Sequence, residues 1–85
     1  MCTWKEMLED ALKKRGEELA DMEANTLTEA DMVKEFDSDA GHTEGVPFTI
    51  WTAKTVYFPV CYAGSEWVGS VARHPDGKPT EHQGG

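Results

Sequence analysis

The chain of 85 residues is long enough for one domain, and its net charge of -8 lies almost entirely in one half of the sequence. Residues 1–45 carry 13 Asp or Glu against 5 Lys or Arg, whereas residues 46–85 carry 3 of each. We therefore expect no direct binding to nucleic acid, which needs a basic stripe, and no binding to an anionic membrane surface.

Two cysteines, Cys2 and Cys61, lack the paired spacing of a disulfide framework or a zinc site. The sequence also has neither a signal segment nor an apolar run of about 18 residues. These features predict a cytoplasmic protein in which both thiols are reduced.

The first predicted element is a helix that begins after Thr3 and ends near Arg15, just before Gly16. Thr3 and Glu6 have the spacing of a capping box. The apolar positions recur at intervals of three and four residues, as on one face of a helix. They are Trp4, Met7, Leu8, Ala11 and Leu12.

Residues 17–27 fit two patterns. Leu19 and Met22 continue a helical spacing, whereas Met22, Ala24 and Thr26 alternate as in a short extended piece beside a sheet. We favour a turn followed by irregular or extended chain. A second helix is predicted for residues 29–36, since Thr28 and Asp31 repeat the capping-box spacing.

Residues 46–75 hold six of the eight aromatic residues and predict the sheet. Three antiparallel strands are expected, at residues 48–52, 56–62 and 66–73, joined by short turns. The fold class is therefore α+β, with two N-terminal helices followed by a three-stranded antiparallel β-meander. Residues 1–74 form the single domain, and residues 75–85 form a flexible polar tail.

Pro59 conflicts with a central position in this meander, because proline cannot donate a hydrogen bond to a neighbouring strand. A β-bulge near Gly69 and Ser70 would remove the conflict. Alternatively, the first strand of the meander stops short of Pro59 and leaves that side open.

The sequence offers little support for catalysis or metal binding. His42 and Glu44 form one weak pair, and Cys61 lies among apolar residues, where a thiol usually packs as a small hydrophobic group. None of the common nucleotide-binding or hydrolase motifs is present. We expect a protein that is not an enzyme and uses no metal and no cofactor.

Two surfaces are candidates for binding. The acidic surface comprises Glu29, Asp31, Glu35, Asp37 and Asp39, and it would attract a protein with a basic surface. The alternative for these carboxylates is that they only keep the protein soluble.

The second candidate is an aromatic face of the sheet, formed by Trp51, Tyr57, Tyr62, Trp67 and Arg73. It could stack a nucleotide-like small molecule or contact a protein. Alternatively, these rings fill the core. Since neither face of the predicted sheet is clearly polar and only about 74 residues can build a core, we also expect a homo-oligomer.

The segment PFTIWTAKTVYFPVCYAGSEWVGSVARHP, preceded by TLTEADMVKEFD and followed by EHQGG, resembles a family of small uncharacterised proteins of bacteriophages and prophages. The shared pattern is WT…VYFP…Y-G-EWV-SV-R-P. Where such relatives often read Tyr-Asp-Gly and Val-Pro-Arg, this chain has Tyr62-Ala63-Gly64 and Val71-Ala72-Arg73.

The resemblance implies a viral protein made in the cytoplasm of a bacterial host, and it brings no assigned activity. Combined with the acidic surface, it leads to the expectation of a non-catalytic accessory protein that binds a host protein. An example is an inhibitor of a nucleic-acid-binding defence factor. Two alternatives are an oligomer that sequesters a nucleotide-like ligand and a minor component of the virion.

Overall fold

A computed structural model describes residues 1–83 and shows a mixed helical and antiparallel β-sheet domain. Its sheet has four strands in the order β1-β2-β3-β4. The elements in chain order are α1 (Trp4–Lys14), a 3-10 turn (Leu19–Asp21), β1 (Met22–Asn25), α2 (Glu29–Val33), β2 (Ile50–Thr52), β3 (Thr55–Tyr62) and β4 (Ser65–Ala72). The α+β class is thus confirmed.

The three strands predicted after the helices are present as β2, β3 and β4, but the prediction missed a fourth strand, β1, which lies between the helices in sequence. β1 pairs antiparallel with β2, and Ala24 lies opposite Trp51. Met22 packs against the core from this strand. The pairing across the sheet, rather than the local alternation of residues, decides the conformation of this ambiguous segment.

Both helices begin where their caps predict. The Thr3 hydroxyl accepts a hydrogen bond from the Glu6 N–H at 3.2 Å, and Thr28 and Asp31 form a complete capping box. However, α2 ends at Val33 instead of reaching Phe36. The backbone of Phe36 forms an antiparallel bridge with Cys2, with two hydrogen bonds of 2.9 Å, and this requires extended rather than helical chain.

The core is built around Trp4, whose ring centroid lies 4.8 Å from that of Phe36 and 4.9 Å from that of Phe48. The Trp4 indole N–H donates a hydrogen bond to the Val46 carbonyl at 3.0 Å, so the buried polar atom is satisfied. The other members of the core cluster are Leu8, Leu12, Leu27, Met32, Ile50 and Tyr57. Helices and sheet therefore share one core.

Pro59 is accommodated because β2 is short. The register of β3 and β4 is continuous, so the first alternative, a bulge near Gly69 and Ser70, is not present. The Arg73 N–H donates to the Lys54 carbonyl at 2.8 Å, and alternation from this pair turns the N–H position of Pro59 towards β2. Since β2 reaches only as far as Tyr57 along β3, no ladder bond is lost. This is the second of the two arrangements predicted for Pro59.

The sheet has two different faces. One carries Ile50, Tyr57 and Val68 and packs against the helices. The other, which we call the outer face, is defined by the side chains that alternate with these along β2, β3 and β4. Its residues are Trp51, Val56, Phe58, Val60, Tyr62, Trp67, Gly69 and Val71. A side chain at Gly69 would meet the Phe58 ring at 2.7 Å, so Phe58 lies over this glycine.

The side chains of residues 75–83 are exposed, and these residues form no helix or strand. They agree with the predicted polar tail in that respect, and its predicted flexibility stays a prediction. The last two tail residues lie outside the described part of the chain. Within residues 1–83, no helix is long and apolar enough to cross a membrane.

Candidate binding surfaces

Three of the five predicted acidic residues accept hydrogen bonds from within the chain. The Asp31 carboxylate accepts the Thr28 N–H at 3.2 Å in the capping box. Asp37 accepts the Asp39 N–H at 2.9 Å, and Asp39 accepts the Ser65 hydroxyl at 2.5 Å. Sequence reasoning identified the cap but missed the two loop contacts, because their partners are not marked by a local motif.

The remaining two, Glu29 and Glu35, have exposed side chains. The two ion pairs within residues 1–83 are His42–Glu44 and Arg73–Glu23, so both carboxylates are free to contact another molecule. The structure thus divides the predicted acidic surface. Asp37 and Asp39 belong to a loop that lies on the β3–β4 hairpin, whereas Glu29 is the first residue of α2 and Glu35 lies just after its end.

Between these two glutamates lies an exposed apolar side chain. Val33, the last residue of α2, is 58% exposed. Together with Ala30, Met32, Glu29 and Lys5 it lines a shallow groove between the two helices. We use the name α2 surface for Glu29, Ala30, Val33 and Glu35. An apolar centre with charged neighbours is typical of a protein contact.

The loop of residues 37–45 is fixed to β4 through Glu66, a carboxylate that is only 5% exposed. Glu66 accepts the N–H groups of Glu44 at 2.8 Å and Gly45 at 2.9 Å. Its own N–H donates to the Ser38 carbonyl at 2.7 Å. A side chain at position 45 would lie 2.5 Å from the Trp4 ring, so only glycine fits there. Sequence reasoning missed these contacts, because their partners lie 21 and 22 residues apart and no local motif marks them.

Three residues of the predicted aromatic face lie on one side of the sheet, and Tyr57 lies on the other. Trp51, Tyr62 and Trp67 share the outer face, and Tyr62 is 59% exposed. Tyr57 is fully buried on the opposite face, where its hydroxyl donates a hydrogen bond to Glu17 at 2.5 Å. Alternation along β3 separates it from the others, and it cannot contact a ligand on the outer face.

Arg73 lies beside Trp51, where Glu23 and Ala24 complete a shallow depression. Its guanidinium donates to the Glu23 carboxylate at 2.8 Å and to the Thr52 carbonyl at 2.9 Å. The charge of Arg73 is therefore already paired, which reduces its attraction for an anionic ligand.

Burial and hydrogen bonding shift the pKa values of Tyr57 and Glu17 in opposite directions. Burial, followed by the neighbouring Glu17 carboxylate, raises the pKa of Tyr57. Burial alone would raise the pKa of Glu17, but the donors on Thr52, Tyr57 and Thr55 and the charge of Lys54 outweigh it. The net result is a pKa below the ordinary value. The pair connects the segment that follows α1 with the middle of the sheet.

The residues considered for metal binding or catalysis, His42, Glu44 and Cys61, lie on the surface. His42 Nε2 lies 3.2 Å from a Glu44 oxygen, and both side chains reach solvent. The Thr43 hydroxyl donates to the exposed Cys61 sulfur at 3.4 Å. In the part of the chain that the structure describes, no three His, Cys, Asp or Glu side chains form a group that could hold a metal ion.

Comparisons with protein-family models, with curated proteins and with solved structures gave no match. The resemblance to bacteriophage proteins therefore stays a prediction from the sequence.

Proposed function

We propose that this chain is a non-catalytic binding protein that docks the basic surface of another protein on its α2 surface. The observation that carries this proposal is the exposed Val33 at the end of a short helix, with free carboxylates at Glu29 and Glu35 on either side along the chain. The exposed valine can bury apolar area in a contact, and the carboxylates select a cationic partner.

The charge distribution supports the same partner. Residues 17–44 contain ten carboxylates and a single cation, Lys34. An excess of this kind raises the rate of association with a basic protein by about 10 to 1,000-fold, in a manner that depends on salt. Proteins that bind nucleic acid carry such basic surfaces.

The resemblance to bacteriophage proteins supplies the setting of the proposal. In that setting the chain acts in the cytoplasm of a bacterial host, and its partner is a host protein such as a nucleic-acid-binding defence factor. The chain would then compete with nucleic acid for the basic surface of that factor.

The test is capture of host proteins from a bacterial lysate by immobilised protein. Glu29→Lys with Glu35→Lys should abolish capture of the specific partner, and Val33→Ser should weaken it even at high salt, where charge steering is screened. Glu9→Lys with Glu81→Lys makes the same change in net charge at exposed sites elsewhere and should leave capture intact.

Folding of each variant is checked by thermal melting. Exposed charges contribute about 0–1 kcal/mol to stability, although Glu29 also interacts with the N-terminus of α2. A folded Glu29→Lys, Glu35→Lys variant that still captures the partner at low salt would show that these carboxylates only solvate the protein.

The second candidate is binding of a nucleotide-like ligand on the outer face. It is favoured by the depression in which Trp51 lies beside Arg73. Quenching of tryptophan fluorescence by AMP, compared between the wild type and Trp51→Ala, measures such binding. Equal quenching in both proteins would contradict this candidate.

A further inference from the structure

Within residues 1–83, the outer edge of β4 has no neighbouring strand. β4 is the last strand in the sheet order and has eight residues in continuous register with β3. An edge of this length exposes a row of backbone donors and acceptors to which another strand can add.

Alternation along β4 identifies the groups that point outwards. The hydrogen bond between Arg73 and Lys54 turns the odd-numbered residues of β4 towards β3, so the even-numbered residues point away from it. Glu66 is the first of these, and its N–H is already bonded to Ser38. Val68, Ser70 and Ala72 have no backbone partner on this side within residues 1–83.

Residues 68–72 of this edge lack the residue types that usually protect an edge against strand addition. Natural edges carry lysine, proline, a bulge or an inward-pointing charge, or are covered by a helix or loop. Residues 68–72 read Val-Gly-Ser-Val-Ala, which contains none of the protective residue types. The tail passes beside Ser70 and Ala72, and its one hydrogen bond within residues 1–83 joins Lys78 to Asp76.

Next to this edge, the surface of α1 carries both an acidic and a basic side chain, which we call its charged stripe. Met7, Asp10, Ala11 and Lys14 line a groove between α1 and β4. When two such stripes run antiparallel, the Lys14 end of one lies beside the Asp10 part of the other. The surface next to the edge therefore attracts a second copy of itself, despite the net charge of -8.

We propose that a second copy of this chain adds its β4 antiparallel to this edge and forms a continuous eight-stranded sheet about a twofold axis. The backbone groups of Val68, Ser70 and Ala72 provide the hydrogen bonds between the copies. The two α1 helices lie side by side on one face of the joined sheet. The α2 surface takes no part, so this inference is independent of the proposed function.

The test is sedimentation of the full chain over about 1 to 500 µM, a range that detects dimers of moderate affinity. We expect a dimer in the wild type and in Ser70→Ala, which removes only the hydroxyl that accepts from Arg15. Ser70→Pro removes the outward N–H and leaves the bonds to β3. It should raise the Kd of the dimer by about tenfold or more, because each of the two copies loses one hydrogen bond across the interface.

Two results would overturn the proposal: a wild-type monomer of 9.4 kDa at the highest concentration, or equal dimerisation of Ser70→Pro and Ser70→Ala. If the Ser70→Pro variant does not fold, hydrogen exchange of the wild-type protein tests the interface instead. The amides of Ser70 and Ala72 should become more protected as protein concentration rises, whereas that of Gly69 should not change. Protection of Ser70 and Ala72 that is independent of concentration would contradict the inferred interface.

Discussion

At the scale of single residues, Tyr57 combines two roles in one side chain. Its ring is fully buried with Ile50 in the core. Its hydroxyl donates a hydrogen bond to the carboxylate of Glu17, which follows α1. The carboxylate form of Glu17 is the one that accepts this bond best. The contribution of the pair to stability must therefore depend on pH.

Tyr57→Phe keeps the ring and removes only the hydrogen bond, so we expect a loss of about 1 to 2 kcal/mol at neutral pH. The pKa of Glu17 is lower in the folded protein than in the unfolded chain. Its stabilisation is thus present above the unfolded value of about 4.3 and disappears as the pH falls through the lowered value. Urea unfolding of both proteins at pH 7 and near pH 3 measures the difference.

The difference between Tyr57→Phe and the wild type should shrink at the acidic pH. At the alkaline end, the raised pKa of Tyr57 means that the wild type loses stability as the pH rises above about 10, and the variant should not show this loss. A difference of the same size at pH 7 and pH 3 would mean that the hydroxyl acts without the Glu17 carboxylate.

At the scale of elements, the turn between β3 and β4 carries an uncommon backbone conformation. Ala63 and Gly64 have φ angles of 53° and 86°. Two successive residues in the left-handed region define the type I′ hairpin turn, which favours Asn or Asp followed by Gly. The alanine at the first position therefore stores conformational strain in this hairpin.

Ala63→Asn should relieve this strain and stabilise the protein by about 0.5 to 1 kcal/mol. The matched control is Ala53→Asn, in the turn between β2 and β3, where φ is not positive and no gain is expected. Thermal melting of the three proteins gives the comparison. Equal effects at the two positions would show that the gain comes from surface polarity and not from the turn.

The parts of the fold that were predicted correctly depend on residues close in sequence. The caps at Thr3 and Thr28 have partners three residues away, and the two hairpin turns of residues 48–73 are local as well. In contrast, β1 is defined by partners 25 to 30 residues later, and the end of α2 by a bridge to Cys2. Such distant partners leave no trace in a local pattern.

The same distinction applies to the candidate surfaces. Alternation along β3 places Tyr57 and Tyr62 on opposite faces, but it does not say which face the helices cover. Exposure of Glu29 and Glu35 agrees with the acidic surface, whereas the contacts of Asp37 and Asp39 depend on a loop that folds onto the hairpin. The sequence shows where the charged residues are, but it does not show which of them form hydrogen bonds within the fold.

At the scale of the whole molecule, one small core serves a chain of 85 residues. A chain of this size buries about 60 to 65% of the surface that it exposes when unfolded, so its stability margin is small. Joining a second copy through β4 would add backbone hydrogen bonds without enlarging the core. The predicted dimer is therefore also a prediction that stability rises with protein concentration.

The position of β1 between the helices has one more consequence, for synthesis of the chain. The sequence changes from acidic to neutral near residue 45, as though it consisted of two modules. Yet β1 pairs with β2, and Trp4 bonds to Val46, so both contacts cross that boundary. When a ribosome has made only the first 45 residues, β1 has been synthesised but its partner β2 has not. The nascent chain therefore cannot form this pairing until its second half has been made.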